Sequence, residues 1–137
     1  SDQFDIIINS EALAAMSGNY KLVVCLTENN ITNWQKDGDI DDDSYVHKHV
    51  LRSFLTPTFG EDLANEEINN GDSFSNGFSP VISDLENYNI DYSQNTLTLR
   101  NGNAGDWDLN NMYVLAYIYD ESSNEILQVE EKSILNK

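Results

Sequence analysis

Basic residues are scarce in this chain of 137 residues. Seven lysines and arginines stand against 24 aspartates and glutamates, which gives a formal net charge of −17. Nucleic-acid binding depends on basic side chains that displace counterions from phosphates, and anionic lipid surfaces attract the same residue types. We therefore expect no nucleic-acid partner and no direct binding to an anionic membrane surface.

Long apolar runs are absent, and cysteine occurs once. No stretch of about 18 apolar residues exists, so we expect a soluble domain that does not itself span the membrane. The first residues lack the basic and apolar segments of a signal peptide, and any export signal is expected to lie outside this sequence. Cys25 alone excludes an internal disulfide, and its apolar neighbours predict a buried, unreactive thiol.

Familiar catalytic motifs are also missing. The chain has no Gly-x-Ser-x-Gly elbow, no glycine-rich phosphate loop, no His-Glu-x-x-His and no Cys-x-x-Cys. We therefore predict that it is not an enzyme, with no catalytic residues and no cofactor. A paired-carboxylate site of the glycosidase type is not identifiable, because among so many acidic residues any two would serve.

What the sequence does contain is a series of short apolar and β-branched segments separated by Asn, Gly, Asp and Ser. Such segments predict strands at 4–8, 20–28, 45–55, 74–82, 96–100, 112–119 and 125–130. The last two form a predicted hairpin, in which Ile126, Gln128 and Glu130 share one face and Leu127 and Val129 the other. The pattern indicates an all-β fold: a single antiparallel β-sandwich, jelly-roll or immunoglobulin-like, over residues 1–137, with at most short helical turns.

Two segments leave alternatives open. Residues 11–16 contain helix formers but span fewer than two turns, which permits a short helical turn or a loop. In residues 45–55, Val46, Val50 and Phe54 fit a helical stripe or one face of a strand, and the β-branched and aromatic composition favours the strand.

The densest charge in the sequence lies at residues 37–43. Asp37, Asp39, Asp41 and Asp43 are weak candidates for calcium ligands, because carboxylate oxygens on alternate residues of a loop suit that cation. The spacing does not match the EF-hand pattern, so a solvated, mobile acidic loop is the favoured interpretation. Any calcium site there is expected to bind only in the millimolar range.

Histidines and tryptophans offer further candidates. His47 and His49 would project from one face of a strand, a spacing that zinc sites use, although no third ligand is evident and a structural role is favoured. Trp34 and Trp107 would stack on a sugar ring if exposed, but we expect core or hairpin positions for both.

Several of these segments together resemble a known family. The stretch Tyr-Val-His-Lys-His-Val-Leu-Arg at 45–52 is the most specific element, and the others are residues 26–28, Ile31, Gln35, Trp107, 114–120 and 126–129. They resemble the C-terminal region of the twenty-eight-kilodalton outer-membrane protein family of Bacteroidetes-type bacteria. The resemblance runs from about residue 20 to residue 129. The acidic segment at 37–43 looks like an insertion, and the upstream part of the family, which often includes a thioredoxin-like region, is not in this sequence.

The resemblance implies a location and a class of function. It implies an exported protein, associated with the outer membrane or cell surface or periplasmic, that belongs to an envelope lipoprotein. It implies a non-enzymatic binding, adhesion or structural module whose partner is an unidentified envelope protein or glycan. The alternative is a glycan-binding or accessory domain of a carbohydrate- or peptide-processing enzyme. Within the motif, Arg52 is expected to pair with Glu28 across strands, and His47 and His49 to order the following loop.

Overall fold

A computed structural model describes residues 2–64, 67–96 and 103–136 of the chain. Strands predominate in these residues, and the mostly-β class predicted from the sequence is confirmed. The strands are β1 (Ile6–Glu11), β2 (Tyr20–Glu28), β3 (Ile31–Asp37), β4 (Ile40–His47), β5 (Val50–Phe54), β6 (Glu61–Ala64), β7 (Ser73–Phe78), β8 (Met112–Asp120) and β9 (Glu125–Ser133), and the helix is α1 (Ile82–Asn95).

Strand β2 is the centre of a five-stranded antiparallel sheet. It pairs with β8 along its whole length, from Tyr20 opposite Asp120 to Glu28 opposite Met112. Its other edge pairs with β5 and β6 in turn, and β9 continues the sheet beyond β8. The predicted strand at 20–28 and the predicted β8–β9 hairpin are therefore confirmed. The face predicted for Ile126 is wrong, because a register shift pairs it with Tyr119 while Gln128 pairs with Ile118. Every residue of β2 except Lys21 is buried, as expected of a central strand that is covered on both faces.

Strands β1 and β7 form the second layer of the sandwich. They pair antiparallel without a register shift. Ile8 of β1 and Phe78 of β7 pack on the inner face of the large sheet, against a buried cluster of Leu22, Val24 and Ala116. Ile8 and Phe78 are partly buried there, so each contributes part of the about 1.5–3 kcal/mol that full burial of such a side chain would give. In the described part of the chain the sheets are not closed into a barrel.

Helix α1 is longer than the short helical turns predicted from the sequence, and the strand predicted at 74–82 is shorter. The chain leaves β7 at Phe78 and forms a helix of 14 residues after Pro80. Its least exposed positions include Ile82, Leu85 and Ser93, at the spacing of one helical face. Ile82 enters a core cluster with Leu26, Met112 and Ile134. The helix escapes sequence analysis because Asn, Asp and Ser have low helix propensity, and tertiary packing stabilises it instead.

The first turn of α1 is capped by a residue far away in the chain. Val81 at the N-cap provides no side-chain hydrogen bond, but Oδ2 of Asp2 accepts a hydrogen bond from the backbone N of Ser83 at 3.0 Å. Hydrogen bonding to Ser83 holds the pKa of Asp2 below its ordinary value. A carboxylate is favourable at this position because the first N–H groups of a helix lack intrahelical partners and carry partial positive charge.

The acidic segment is not the mobile loop that the sequence favours. Strands β3 and β4 pair as an antiparallel hairpin, in which Lys36 lies opposite Asp41 and Asp37 opposite Ile40. Gly38 and Asp39 form the turn, and Gly38 has a φ of 60°, which glycine adopts without a steric penalty. The hydrogen-bonded ladder therefore extends to the tip of the segment.

The single strand predicted over residues 45–55 is also wrong. Strand β4 ends at His47 and β5 begins at Val50, so a corner lies between them. His49 adopts a φ of 52° at this corner, and its backbone N donates a hydrogen bond to Oδ1 of Asn29 at 2.7 Å. A left-handed residue interrupts the period-two pattern, and the polar partner from the end of β2 holds the corner in place.

Predictions from the sequence also concern the segments at 11–16 and 96–100. In the first, β1 ends at Glu11, residues 12–15 form a loop without a helical turn, and Met16 makes an isolated antiparallel bridge with Ile68. The strand predicted at 96–100 lies outside the described residues, apart from Thr96 at the end of α1. No helix in the described part of the chain combines the length and the apolar character needed to cross a membrane.

Candidate functional site

A buried ion pair links β2 to β5. Nε of Arg52 donates a hydrogen bond to Oε2 of Glu28 over 2.7 Å, which confirms the pairing expected from the motif. Only 8% of Arg52 and 3% of Glu28 is exposed, so each charge depends on the other in a low-dielectric environment. The second oxygen of Glu28, Oε1, accepts a hydrogen bond from the backbone N of Asp108 at 2.8 Å.

This Glu28–Arg52 network extends to α1 and to the loop before β8. The guanidinium donates from Nη1 to the carbonyl of Asn103, and the carbonyl of Arg52 accepts a hydrogen bond from Nδ2 of Asn89 at 2.6 Å. The guanidinium carbon lies 5.7 Å from the ring centre of Trp107, within cation–π range. The backbone N of Trp107 donates to Oε1 of Glu86 at 3.0 Å. The network thus fixes two strands, the helix and a loop to one another, which is a structural role.

The two histidines of the motif have different neighbours. The ring of His47 makes an edge-to-face contact with Tyr45, with 4.8 Å between ring centres. His49, beyond the corner, has its Nδ1 at 3.7 Å from Oε2 of Glu131 on β9. The described residues contain no group of three or more potential ligands that would hold a metal ion. Because the corner separates them, His47 and His49 do not lie on one strand. They therefore do not form the pair of zinc ligands that the spacing suggests.

The four aspartates considered for calcium are distributed along the β3–β4 hairpin. Asp37 ends β3, Asp39 lies in the turn, and Asp41 and Asp43 lie in β4. All four residues are exposed. Asp42 between them accepts a hydrogen bond from the backbone N of Ser44 at 2.8 Å. Calcium binding by this hairpin stays a prediction.

Cys25 is buried in the middle of β2, as predicted. Only 4% of the residue is exposed, and desolvation raises the pKa of its thiol. A neutral thiol of this kind is a poor nucleophile, because the thiolate is the reactive form. We therefore do not include Cys25 among the candidate functional residues.

A concave groove lies between β1 and β9. This β1–β9 groove has a volume of about 660 Å³ and runs along the inner face of the large sheet where the second layer does not cover it. Its floor consists of Leu22, Val114, Ala116 and Ile118, and Ile6 and Ile8 of β1 form an apolar wall. A volume of this size lies within the range of ordinary ligand-binding clefts.

Polar side chains stand on the opposite wall of the groove. Gln128, Glu130 and Lys132 lie on β9 directly opposite Ile118, Ala116 and Val114 of β8, so they share the inner face of the sheet with the apolar floor. All three are exposed, because nothing among the described residues packs over them. Apolar floor and polar wall together form a surface that offers burial to one side of a ligand and hydrogen bonds to the other.

A comparison with known proteins identifies the family of this chain. A sequence model described as outer membrane protein Omp28 matches residues 1–137. The chain belongs to the Omp28 family. It is accordingly an exported protein associated with the outer membrane or cell surface. The match extends beyond residues 20–129, to which the sequence resemblance is limited.

One solved structure is similar to this Omp28-family chain. It is the crystal structure of a domain of the outer membrane lipoprotein Omp28 from Porphyromonas gingivalis, with a TM-score of 0.42 and 12% sequence identity over 96% of this chain and 94% of that chain. No curated protein matches the chain significantly.

The outer face of β8 carries a second surface on this Omp28-family domain. Tyr113, Tyr117 and Tyr119 alternate with the inward residues of the strand and are half-buried. The ring centres of Tyr117 and Tyr119 are 6.2 Å apart. Desolvation raises the pKa of Tyr117. We refer to these three residues as the tyrosine face.

Sequence analysis identifies the Glu28–Arg52 pair but misses the groove. The alternation of β9 places Gln128 and Glu130 on one face, yet it does not say whether that face points to water or to the second layer. The structure turns this polar face inward and leaves Val129 half exposed on the outside. The missing information is the width of the second layer, which depends on long-range strand order.

Proposed function

We propose that this Omp28-family chain is a non-enzymatic binding module of the cell envelope and that its ligand occupies the β1–β9 groove. The observation that supports this proposal is the apolar floor of the groove beside an exposed polar wall. In a protein of this size an inner sheet face is ordinarily covered by its second layer. Here part of that face is uncovered and forms a groove of about 660 Å³, which is large enough to hold a ligand.

The location of the module follows the family. Membership of the Omp28 family supports attachment to the outer membrane as part of a lipoprotein, with residues 1–137 as a single sandwich domain. The high negative charge suits a partner that is not itself a polyanion. Adhesion or assembly at the cell surface is the role that we propose for the bound state.

The experiment compares two tryptophan substitutions on adjacent residues of β9. Gln128→Trp places a large ring in the groove, whereas Val129→Trp places it on the outer face. Binding of the purified domain to isolated outer-membrane fractions is measured after circular dichroism and melting show that both variants fold. We expect Gln128→Trp to weaken binding by about tenfold or more, the effect of losing about 1.4 kcal/mol, and Val129→Trp to leave it nearly unchanged. Equal binding by all three proteins would contradict the proposal.

A second candidate function is glycan binding at the tyrosine face. The rings of Tyr117 and Tyr119 support it: their centres are 6.2 Å apart and their planes are inclined at 47°, and each offers an apolar face to a sugar ring. The substitution Tyr119→Ala, at a tyrosine that does not line the groove, would then abolish binding to an immobilised envelope polysaccharide, while Gln128→Trp would not. The opposite result would favour the groove.

A further inference from the structure

The second layer of the sandwich is narrower than the sheet it covers. Strand β7 lies over the β6 side, since Nδ2 of Asn76 donates a hydrogen bond to Oε1 of Glu61 at 3.1 Å. Strand β1 lies over β2 and β8, since Ile8 packs against Leu22, Val24 and Ala116. Sheets stack about 10 Å apart and strands within a sheet lie about 4.8 Å apart. One more strand beside β1 would therefore lie over β8 and β9, which is where the groove is.

Strand β1 has a free edge on the side of the groove. Among the described residues β1 pairs with β7 alone. The backbone N of Phe4 donates to the carbonyl of Pro80, and the backbone N of Ala12 donates to the carbonyl of Asp72. Even-numbered residues therefore point their backbone groups toward β7. Because antiparallel pairing alternates and this ladder has no register shift, Ile7 and its odd-numbered neighbours point theirs away from β7.

The charges beside this edge are mostly negative. Asp5 and Glu11 stand on β1 or just before it, and Glu130 stands on the facing wall, with Lys132 as the nearby basic group. The groove thus carries three carboxylates against one ammonium, on a chain whose net charge is already −17. Such a site favours a cationic occupant and disfavours an acidic one.

We propose that the β1–β9 groove binds an extended, basic peptide segment that pairs with the free edge of β1 and completes the second layer as a third strand. This inference rests on the proposed binding function of the groove. Apolar residues at alternate positions of the peptide lie on Val114, Ala116 and Ile118. Its lysine or arginine residues point outward, on the same side as Glu11 of β1 and Asp5 just before it. Backbone hydrogen bonds provide affinity in this mode of recognition, and alternate side chains provide specificity.

A second copy of this chain is a poor occupant of the same edge. A symmetric pairing of two β1 strands would bring Asp5, Asn9 and Glu11 of each copy beside those of the other. It would do so between two molecules that each carry a net charge of −17. Charged side chains on a free edge oppose pairing between identical molecules and still admit a strand of opposite charge.

The test uses a peptide of about ten residues with alternating valine and lysine, long enough to span the six residues of β1. Its matched controls are a valine–glutamate peptide and a valine–lysine peptide that is N-methylated at alternate residues. Isothermal titration measures binding to the folded domain. We expect saturable binding of the valine–lysine peptide alone, weaker at higher salt because of charge screening.

Two pairs of variants locate the peptide. Ile7→Pro removes a backbone N–H from the free edge, and Ile7→Ala shortens the same exposed side chain but keeps that N–H. We expect Ile7→Pro to weaken binding by about tenfold or more and Ile7→Ala by less than about threefold. Glu11→Gln should weaken binding, because it removes a carboxylate beside the basic residues of the peptide. Glu131→Gln, opposite Leu115 on the outer face of the large sheet, should not.

The outcomes separate this inference from the proposed function. Binding that is equally lost in both Ile7 variants, or kept in Ile7→Pro, would overturn the pairing with β1. Binding of the valine–glutamate peptide at equal strength would overturn the choice of a basic partner. If no peptide binds but Gln128→Trp still abolishes binding to outer-membrane fractions, the inference is wrong and the groove function stands. If neither the peptide nor the Gln128→Trp variant shows an effect, both fail.

Discussion

The Glu28–Arg52 network and the β3–β4 hairpin place their charged side chains in opposite environments. In the network, one carboxylate and one guanidinium are almost fully buried and are held by hydrogen bonds from two strands, a helix and a loop. In the hairpin, aspartates at 37, 39, 41, 42 and 43 are all exposed to water. Few charges with many partners stabilise a particular geometry, whereas many charges in water contribute little to it.

The largest expected effect is the loss of stability when the buried ion pair is broken, compared with the loss of a charge in the hairpin. Arg52→Met leaves Glu28 buried without its partner, and we expect the free energy of unfolding to fall by about 3–5 kcal/mol. Lys36→Met removes a cation opposite Asp41 in the exposed hairpin, and we expect a loss below about 1 kcal/mol. Urea denaturation of both variants measures the difference.

A double variant provides the control for the buried pair. Glu28→Leu together with Arg52→Met removes both charges, and we expect it to be more stable than Arg52→Met alone, because no unpaired charge remains in the core. Similar losses for Arg52→Met and Lys36→Met would mean that the comparison between the two regions is wrong.

An intermediate effect is expected from the thiol of Cys25. Burial raises the pKa of Cys25 above its ordinary value of 9.0. The unfolded chain therefore releases the thiol proton first as pH rises. Stability is unaffected by this group well below pH 9 and falls as pH rises through about 9 toward the folded-state pKa, by at most about 1.4 kcal/mol per pH unit.

Denaturation curves between pH 8 and pH 10 test this dependence. The variant Cys25→Ala should show a shallower fall in stability than the unsubstituted chain, since other titrating groups are common to both. Labelling by a thiol reagent should be slow without denaturant. Rapid labelling of the native protein would contradict the burial of this residue.

The smallest effect is expected in the acidic hairpin. Sodium chloride should raise the melting temperature by a few degrees, because screening acts over about 10 Å at 0.1 M and the chain carries far more acidic than basic groups.

Calcium and magnesium at matched ionic strength should act alike on the hairpin, with any calcium binding only in the millimolar range. Asp39→Asn with Asp41→Asn is the matched variant. Saturable heat at micromolar calcium that disappears in this variant would show a real calcium site.

Strands and helices are predicted best where the residue pattern of a segment matches its burial in the fold. The strands β2, β8 and β9 are rich in apolar and β-branched residues, so their existence is evident from the sequence, as is the pairing of β8 with β9 through a short turn. The pairing of β2 with β8 is not, because about 90 residues separate the two strands. Helix α1 is missed because its buried face includes Asn89 and Ser93, residue types that do not mark a helical stripe. The corner at His49 is missed because a left-handed histidine has no signal of its own in the sequence.

The groove illustrates a different limit. Each residue that forms its floor is correctly expected to lie in a strand, but the groove exists because β1 stops covering the sheet before β9. That is a property of strand order between distant parts of the chain. Neither periodicity nor composition reports it.

The strand pairing of this fold also determines how fast the chain can become folded. Strand β1 finds its partner β7 about 70 residues further along the chain, and β2 finds β8 about 90 residues further along. Proteins dominated by such distant pairings fold in milliseconds to seconds, far more slowly than helical proteins of similar size. A slow approach to the native state leaves time for an exported chain to cross a membrane before it becomes compact. We therefore expect the groove, which needs both long-range pairings in place, to be completed only after export.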